Sequence, residues 1–145
     1  MRQRLVARLL RHNMERIRAG DYRPTLRMDA KDVRFRFPGD SSWSGEIHGK
    51  AELERWLQRF VDVGLQIYAD EVVVKGWPWK MTVCIRGTDH LDAPSGERVY
   101  ENRYVIWGHI RWGLLTDYEV YEDTQKSKAL DEWLGANEPA VALRQ

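Results

Sequence analysis

The sequence predicts an α+β fold in which a curved antiparallel sheet wraps around N-terminal helices and forms a cone with a central cavity. Apolar residues recur at helical spacing in two segments of the first half of the chain. From Leu65 to Asp123 the chain is instead rich in Val, Ile, Tyr and Trp and is interrupted by turn residues. Helices followed by a run of closely connected strands favour helices packed on one face of an antiparallel sheet.

The first segment is predicted to be a helix, with arginines opposite its apolar face and Gly20 just past its end. Its inward positions are Val6, Leu9, Leu10, Asn13, Met14 and Ile17. A short second element begins at Asp21, with Pro24 in its first turn. Residues 33–37 alternate strictly between apolar and polar side chains, which predicts a strand followed by a loop at 38–42.

A second long helix is predicted from about Lys50, with Gly49 as its N-cap and Gly64 at its end. Its apolar stripe consists of Leu53, Trp56, Leu57, Phe60 and Val61.

Four strands are predicted in the second half of the chain. They are Ile67–Lys75, Trp79–Thr88, Arg98–His109 and Arg111–Asp123. A short helix begins at Thr124 and is predicted to stop at Gly135. We therefore expect one domain over residues 1–135 and a C-terminal tail over residues 136–145.

Composition excludes several classes of protein. The 145 residues carry 23 Lys and Arg against 22 Asp and Glu, a net charge of +1, which argues against a strongly basic nucleic-acid binder. A single cysteine, Cys84, excludes an intramolecular disulfide framework and favours a reducing cytoplasm. No apolar run approaches the roughly 20 residues that span a bilayer. We expect no membrane or nucleic-acid partner, no metal and no cofactor.

Three stretches carry a family resemblance. Residues 43–50 (WSGEIHGK) precede the long helix, residues 101–105 (ENRYV) belong to the penultimate strand, and residues 113–124 (GLLTDYEVYEDT) to the last strand. With the order of elements over roughly residues 4–135, they resemble the SnoaL-like polyketide cyclases and the wider ketosteroid-isomerase-like, nuclear-transport-factor-2-like superfamily. The resemblance implies a cystatin-like cone, often a homodimer packed through the outer sheet face, and a scaffold that hosts isomerases, cyclases, epoxide hydrolases and dehydratases.

Two positions depart from the pattern of that superfamily. Phe37 stands where ketosteroid isomerases place a base Asp before a proline. Val120 stands where epoxide hydrolases and polyketide cyclases of the superfamily place an Asp on the last strand. The missing acids favour a non-catalytic binding protein as the alternative to an enzyme.

Side chains of the last two strands alternate between the two faces of the sheet. Which alternate set faces inward, here called the strand phase, decides which side chains would line the cone. In one phase Tyr100, Asn102, Tyr104 and Ile106 face inward, and the last strand contributes Thr116, Tyr118, Val120 and Glu122. In the opposite phase Asp117 or Glu119 faces inward, and burial would raise its pKa and make it a general base. The competing structural interpretations are core tyrosines with satisfied hydroxyls and a solvated outer sheet face.

Further candidates come from the helices and the tryptophans. His12, on the first helix, is expected to line the cone as an acid or base. The predicted ligand-binding residues are Phe37, Trp43, Trp56, Phe60, Tyr100 and Val120. Trp107 and Trp133 are expected in the core with Trp56. Trp77 and Trp79 flank a turn, which indicates a pocket rim or a subunit contact.

The sequence therefore predicts a cofactor-independent isomerase, cyclase or lyase that acts by proton transfer on an apolar or aromatic, oxygenated small molecule. Asn102, Tyr104 and Tyr118 would hold the substrate oxygen. His12 or Asp117 would move the proton. The alternatives are a binding protein for a similar ligand, and a dimerisation or scaffold module whose cone is filled by Trp and Tyr side chains.

Overall fold

The structure, a computed structural model, describes residues 2–138. Four helices and six strands occur within this range. In chain order they are α1 (Arg2–Arg18), α2 (Arg23–Met28), β1 (Asp29–Phe37), β2 (Gly45–His48), α3 (Lys50–Val63), β3 (Gln66–Trp77), β4 (Lys80–Asp92), β5 (Arg98–Arg111), β6 (Leu114–Glu122) and α4 (Thr124–Asn137). None of these helices has the length and apolar composition needed to cross a membrane.

All six strands form one sheet in the order β2-β1-β6-β5-β4-β3. The meander of β3 to β6 is antiparallel, as the short connections predict. β1 lies parallel to β6, so the sheet is mixed at this edge instead of fully antiparallel. The predicted α+β architecture is confirmed.

Two local features differ from the sequence predictions. Residues 45–48 form a short strand, β2, that was not predicted, because they pair antiparallel with the second half of β1. Gly135 does not end the last helix, which continues to Asn137. That helix takes in the first residues of the predicted tail, and residues 139–145 lie outside the described residues.

The core fills the space between the inner face of the sheet and α1, α3 and α4. Leu53 of α3, Ile110 of β5 and Leu134 of α4 are fully buried. Each such side chain contributes roughly 1.5–3 kcal/mol by leaving water. The helices are therefore fixed on one face of the sheet, and they close the cone whose interior forms the cavity.

Gly108 of β5 allows β6 to pack its largest inward side chain. It pairs with Tyr118, and a Cβ built on Gly108 would lie 2.7 Å from both the Tyr118 Cβ and the Asp117 carbonyl oxygen. Strand backbone would have to move to relieve that contact. Gly135 offers the opposite case, since a Cβ there meets nothing within 4 Å and the residue lies inside α4.

The two glycines give a matched prediction of stability. Gly108→Ala should lower the free energy of unfolding by about 1–3 kcal/mol through overpacking, whereas Gly135→Ala should raise it by roughly 0.5–1 kcal/mol through helix propensity. Urea titration monitored by circular dichroism measures both. A Gly108→Ala variant with an unchanged free energy of unfolding would contradict the close packing of β5 and β6.

Candidate functional site

The cone encloses a cavity of about 110 Å³. Side chains from α1, α2 and α3 line one side of it, and inward residues of β1, β3, β4, β5 and β6 line the other. The lining is mostly apolar, with a few polar groups among the aromatic and aliphatic side chains. An apolar cavity with few polar groups is the usual form of a small-molecule site.

Most of the predicted ligand-binding residues lie at this cavity. Four of the six line it, Phe37, Trp56, Phe60 and Val120. The predicted oxygen-holding residues Tyr104 and Tyr118 line it as well. Trp43 and Tyr100 line a neighbouring space of about 20 Å³, which shares Phe37, Trp56 and Phe60 as its walls. The Phe35 and Trp43 rings pack edge to face on Trp56, with the Phe35 ring centre 4.9 Å away, whereas the Phe60 ring stacks on it.

The phase of β5 follows from its burial pattern and its register with β4. Tyr100, Asn102, Tyr104 and Ile106 are all buried, so the first of the two phases is observed. Asn102 pairs with Asp89 of β4, which therefore faces the same side. This pairing brings an acid into the cone that the sequence analysis did not single out.

A bulge changes the phase of β6 near its start. The register shifts between His109 and Ile110, so that Asp117 pairs with His109 and Leu115 pairs with Ile110. Leu115 and Tyr118 thus both line the cavity, and Thr116 does not. The Thr116 hydroxyl instead donates to the Asp117 carboxylate at 3.0 Å. The expectation that Thr116 lines the cone is wrong for this reason.

Two candidate proton carriers lie outside the cavity. His12 is exposed on α1, and its neighbour Asn13 is the residue that lines the cone. Asp117 lies on the outer sheet face, where its Oδ2 is 2.8 Å from the Nδ1 of His109. The prediction for His12 is wrong because α1 turns Asn13, and not His12, toward the cone. The prediction for Asp117 is wrong because side chains alternate along β6 and Asp117 faces outward.

Asp29 is the most unusual polar group of the cone. It is 1% exposed, it lines the cavity, and neither of its carboxylate oxygens has a hydrogen-bond partner within the described residues. Burial raises its pKa to about 7, and the more distant charge of Lys50 lowers it only in part. Its backbone N–H bonds to the Thr25 and Leu26 carbonyls at the end of α2, which fixes the residue in place.

Three further polar residues surround Asp29, and together the four form what we call the Asp29 site. They are Asn13, Thr25 and Tyr118, all of which line the cavity. Within the described part of the chain the buried Thr25 hydroxyl has no partner, and the Asn13 side chain donates only to the Met28 sulfur, at 3.5 Å. Burial raises the pKa of Tyr118 well above its usual value, and the charge of Asp29 adds to that effect. The phenol therefore stays protonated and can act as a hydrogen-bond donor.

A second group of polar side chains, the Asp89 cluster, consists of Asp89, Tyr100, Asn102 and Glu122. Tyr100 donates to Glu122 Oε2 at 3.0 Å, and Asn102 donates to the same oxygen. Asp89 Oδ1 has no partner among residues 2–138. Burial and the nearby charge of Glu122 raise the pKa of Asp89 to about 8, so this carboxyl is protonated at neutral pH.

The two sites lie at different ends of the cavity. Asp29 pairs with Leu115 and Glu122 pairs with Tyr104, so seven residues of β6 separate the two positions. That separation corresponds to roughly 20 Å along the strand. Within residues 2–138, the Asp29 carboxylate and the Thr25 hydroxyl of the Asp29 site have no hydrogen-bond partner. Most groups of the Asp89 cluster, by contrast, bind one another.

Two of the predicted oxygen-holding residues already use their donors. The Asn102 amide nitrogen binds Glu122 and the Asp123 carbonyl. The Tyr104 hydroxyl donates to the Tyr68 carbonyl at 2.7 Å, across the gap left by Gly87. Tyr118 is thus the predicted residue whose hydroxyl is best placed to reach a ligand.

A larger groove of about 300 Å³ lies on the outer sheet face. Its charged groups largely pair with one another, including Arg36 with Glu46 at 2.7 Å and His109 with Asp117 at 2.8 Å. Trp107 lines this groove and is half exposed, which corrects its expected place in the core. The groove lacks the unsatisfied buried groups of the cone. No cluster of three His, Cys, Asp or Glu side chains within residues 2–138 is arranged to hold a metal ion.

Comparison with known proteins identifies the fold of the chain. No known protein-family profile matches the chain, and no curated protein matches it by sequence. Several solved structures are similar in fold. An NTF2-like protein of unknown function from Burkholderia pseudomallei has a TM-score of 0.68 at 19% identity, over 88% of this chain and 93% of that chain. The chain has the NTF2-like fold.

Two further solved structures are similar in fold. PrhC from Penicillium brasilianum has a TM-score of 0.71 at 16% identity, over 91% of this chain and 89% of its own. TerC, co-crystallised with polyporic acid, has a TM-score of 0.66 at 20% identity, over 81% of this chain and 91% of its own. The predicted resemblance is confirmed at the level of the fold, and identities this low say nothing more about chemistry.

The buried carboxyl predicts a distinct pH dependence of stability. The folded-state pKa of Asp29, about 7, lies above its ordinary value of 3.8, so folding favours the protonated form and stability is lost as pH rises through that range. Asp29→Asn should therefore change the free energy of unfolding more favourably at about pH 8 than at about pH 5, by roughly 1–3 kcal/mol.

Urea titrations at the two pH values measure the difference. Asp32→Asn is the matched control, because Asp32 is an exposed acid on the same strand. An Asp29→Asn variant that is destabilised equally at both pH values would show that the carboxylate is satisfied in the folded protein.

Proposed function

We propose that the protein is a cofactor-independent enzyme that transfers a proton on a small, mostly apolar, oxygenated substrate, as an isomerase, cyclase or lyase does. The observation that carries the proposal is the Asp29 carboxyl, buried without a hydrogen-bond partner among residues 2–138 in an apolar cavity that the protonated Tyr118 phenol also lines. A carboxylate has no structural reason to be buried unpaired, and such groups concentrate at functional sites.

Asp29 would act as the general base. Its carboxylate takes a proton from the carbon next to a substrate carbonyl, and the C–H electron pair moves to form the enolate. Tyr118 donates a hydrogen bond to the enolate oxygen. The protonated Asp29 then returns the proton to a different carbon, or the enolate expels a leaving group. A base with a pKa of about 7 suits this role near neutral pH.

The cavity favours a substrate about the size of one ring. Its volume of about 110 Å³ is close to that of an engineered apolar cavity, about 150 Å³, that binds benzene. Drug-sized ligands need roughly 300 Å³ or more. We therefore place cyclic enones and small phenolic ketones ahead of steroids. That the similarly folded TerC was co-crystallised with polyporic acid supports a ligand site in this cone.

Asp89 supplies a second function in the same cavity. A carboxyl with a pKa of about 8 stays protonated at neutral pH and can donate a hydrogen bond from its unpartnered side. It would hold a polar group of a ligand bound at the end of the cavity away from Asp29, since a one-ring substrate is too short to reach both carboxyls.

The second candidate function is a binding protein for the same ligand class. It is favoured by Phe37 and Val120, which place apolar side chains in the cavity where the superfamily resemblance leads one to expect acids. The open cavity argues against a scaffold whose cone is filled. A homodimer through the outer sheet face and a cytoplasmic location remain predictions from the resemblance and from the single cysteine.

The test begins with ligand binding and continues to turnover. A panel of cyclic enones and phenolic ketones would be titrated while tryptophan fluorescence and melting temperature are followed. For a ligand that binds, proton exchange with deuterated water, followed by NMR, detects enolisation. We expect exchange to rise with pH through about 7, as Asp29 ionises.

Matched variants assign the roles. Asp29→Asn should lower the exchange rate by about 10²–10⁴-fold, and Tyr118→Phe by about 10²-fold. Asp117→Asn and His12→Ala should leave it within about twofold, because both side chains lie outside the cavity. Saturable binding with no exchange in the wild-type protein would favour the binding protein. Equal losses in Asp29→Asn and Asp117→Asn would contradict the assignment of the base.

A further inference from the structure

One end of the molecule exposes an aromatic surface that the cavity does not explain. The β3–β4 hairpin carries Trp77 and Trp79, and the β5–β6 hairpin carries Trp112 and Leu114. All four are exposed, Trp77 by 68% and Trp112 by 72%. We call these four residues the tryptophan patch.

The patch is organised, and its parts hold one another in place. The rings of Trp77 and Trp79 stack with centres 5.6 Å apart, and Trp112 lies 6.4 Å from Trp79. The Trp112 backbone N–H bonds to the Pro78 carbonyl at 2.8 Å, which ties the two hairpin tips together. Trp112 also has φ of +51°, a backbone conformation that bulky residues rarely adopt. Tryptophans that face water in this arrangement bury no core surface, so folding does not account for them.

The segments that carry and adjoin the patch contain basic residues but no acidic ones. Residues 72–88 and 103–116, which contain both hairpin tips, include no Asp or Glu. The same is true of residues 2–14, and Gln3 of this segment donates to the Gly76 carbonyl at the first tip. Exposed cations near the patch are Arg2, Arg4, Arg8, Lys75, Lys80 and Arg111. None of the six forms an ion pair with a residue of the 2–138 range.

We propose that this end of the protein docks reversibly on an anionic lipid bilayer, with the tryptophan patch in the headgroup region and the six cations at its edge. Tryptophan prefers the membrane–water interface, because its ring is apolar and its N–H remains hydrated. Lys and Arg add attraction to anionic headgroups. The six cations therefore give this end a local positive charge, although the whole chain has a net charge of only +1.

Surface docking does not need a spanning helix, so it is compatible with the absence of one in residues 2–138. It also does not depend on the chemistry proposed for Asp29. The two are related in space, since Leu115, which lines the cavity and pairs with Asp29, directly follows Leu114 of the patch. A docked molecule would present this end of the cavity to apolar compounds dissolved in the membrane.

The test uses the full chain and vesicles of phosphatidylcholine with or without roughly 30% phosphatidylserine. Flotation measures binding, and brominated lipids report whether tryptophans reach the bilayer. The wild-type protein should bind the anionic vesicles, and its partition coefficient should fall at least tenfold when salt is raised from low to about 0.5 M. Tryptophan fluorescence should be quenched by the brominated lipids.

Variants with matched controls locate the contact. Trp77→Ser combined with Trp112→Ser, and separately Lys80→Glu combined with Arg111→Glu, should each lower vesicle binding about tenfold or more. Trp107→Ser changes an exposed tryptophan on the outer sheet face, and Arg55→Glu an exposed arginine on α3. These two should bind as the wild type does. Circular dichroism melting would confirm that all the variants fold.

Three results would overturn the proposal. The first is no binding of the wild-type protein to anionic vesicles at low salt, and the second is an equal loss with the control variants. The third is that the tryptophan patch binds another partner and no vesicles. Binding of oligothymidine, or self-association, that is lost in the Trp77→Ser and Trp112→Ser double variant would show this.

Discussion

The register of β5 between β4 and β6 determines which side chains reach the cavity. Strand alternation turns Tyr104 and Ile106 inward, and Gly108 continues the same row with a residue that leaves room for Tyr118. The pairing of Asn102 with Asp89 brings an acid into the same interior. A single slip of this register would exchange the inner and outer faces and destroy the cavity lining. The walls of the cone formed by β4, β5 and β6, and the position of Asp89 within it, are thus consequences of one hydrogen-bonded strand.

The cone combines a stable apolar interior with polar groups that weaken it. Leu53 and Ile110 show how completely the core excludes water. Asp29 is buried in the same structure with no partner for either oxygen, which costs folding energy whenever it is ionised. Proteins retain such groups where function requires them, and the resulting loss of stability is the expected accompaniment of a reactive site. Tyr118, protonated and adjacent, makes the combination chemically useful.

Much of the fold could be predicted from the sequence, because periodicity reports burial directly. The stripe containing Leu53 and Leu57 predicted α3 with both glycine ends correct. The site was harder, since Asp89 and Asp29 carry no local signal in sequence. In the sequence Asp29 is one polar residue among several where a short helix meets a strand. Its burial arises from tertiary packing at the junction of α2 and β1. The β6 bulge, which places Leu115 inside and Asp117 outside, depends on pairing with His109 and is likewise set by tertiary contacts.

The most direct test of the account is the titration of the Asp29 carboxyl itself. Carbon-13 NMR of aspartate-labelled protein would follow each carboxyl from acid to alkaline pH, with the Asp29→Asn variant identifying the resonance. We predict a midpoint near 7 for the Asp29 carboxyl. A midpoint at or below the ordinary value of 3.8 would mean that the carboxylate is solvated or paired in the folded protein, and it would remove the basis for a general base in the cone.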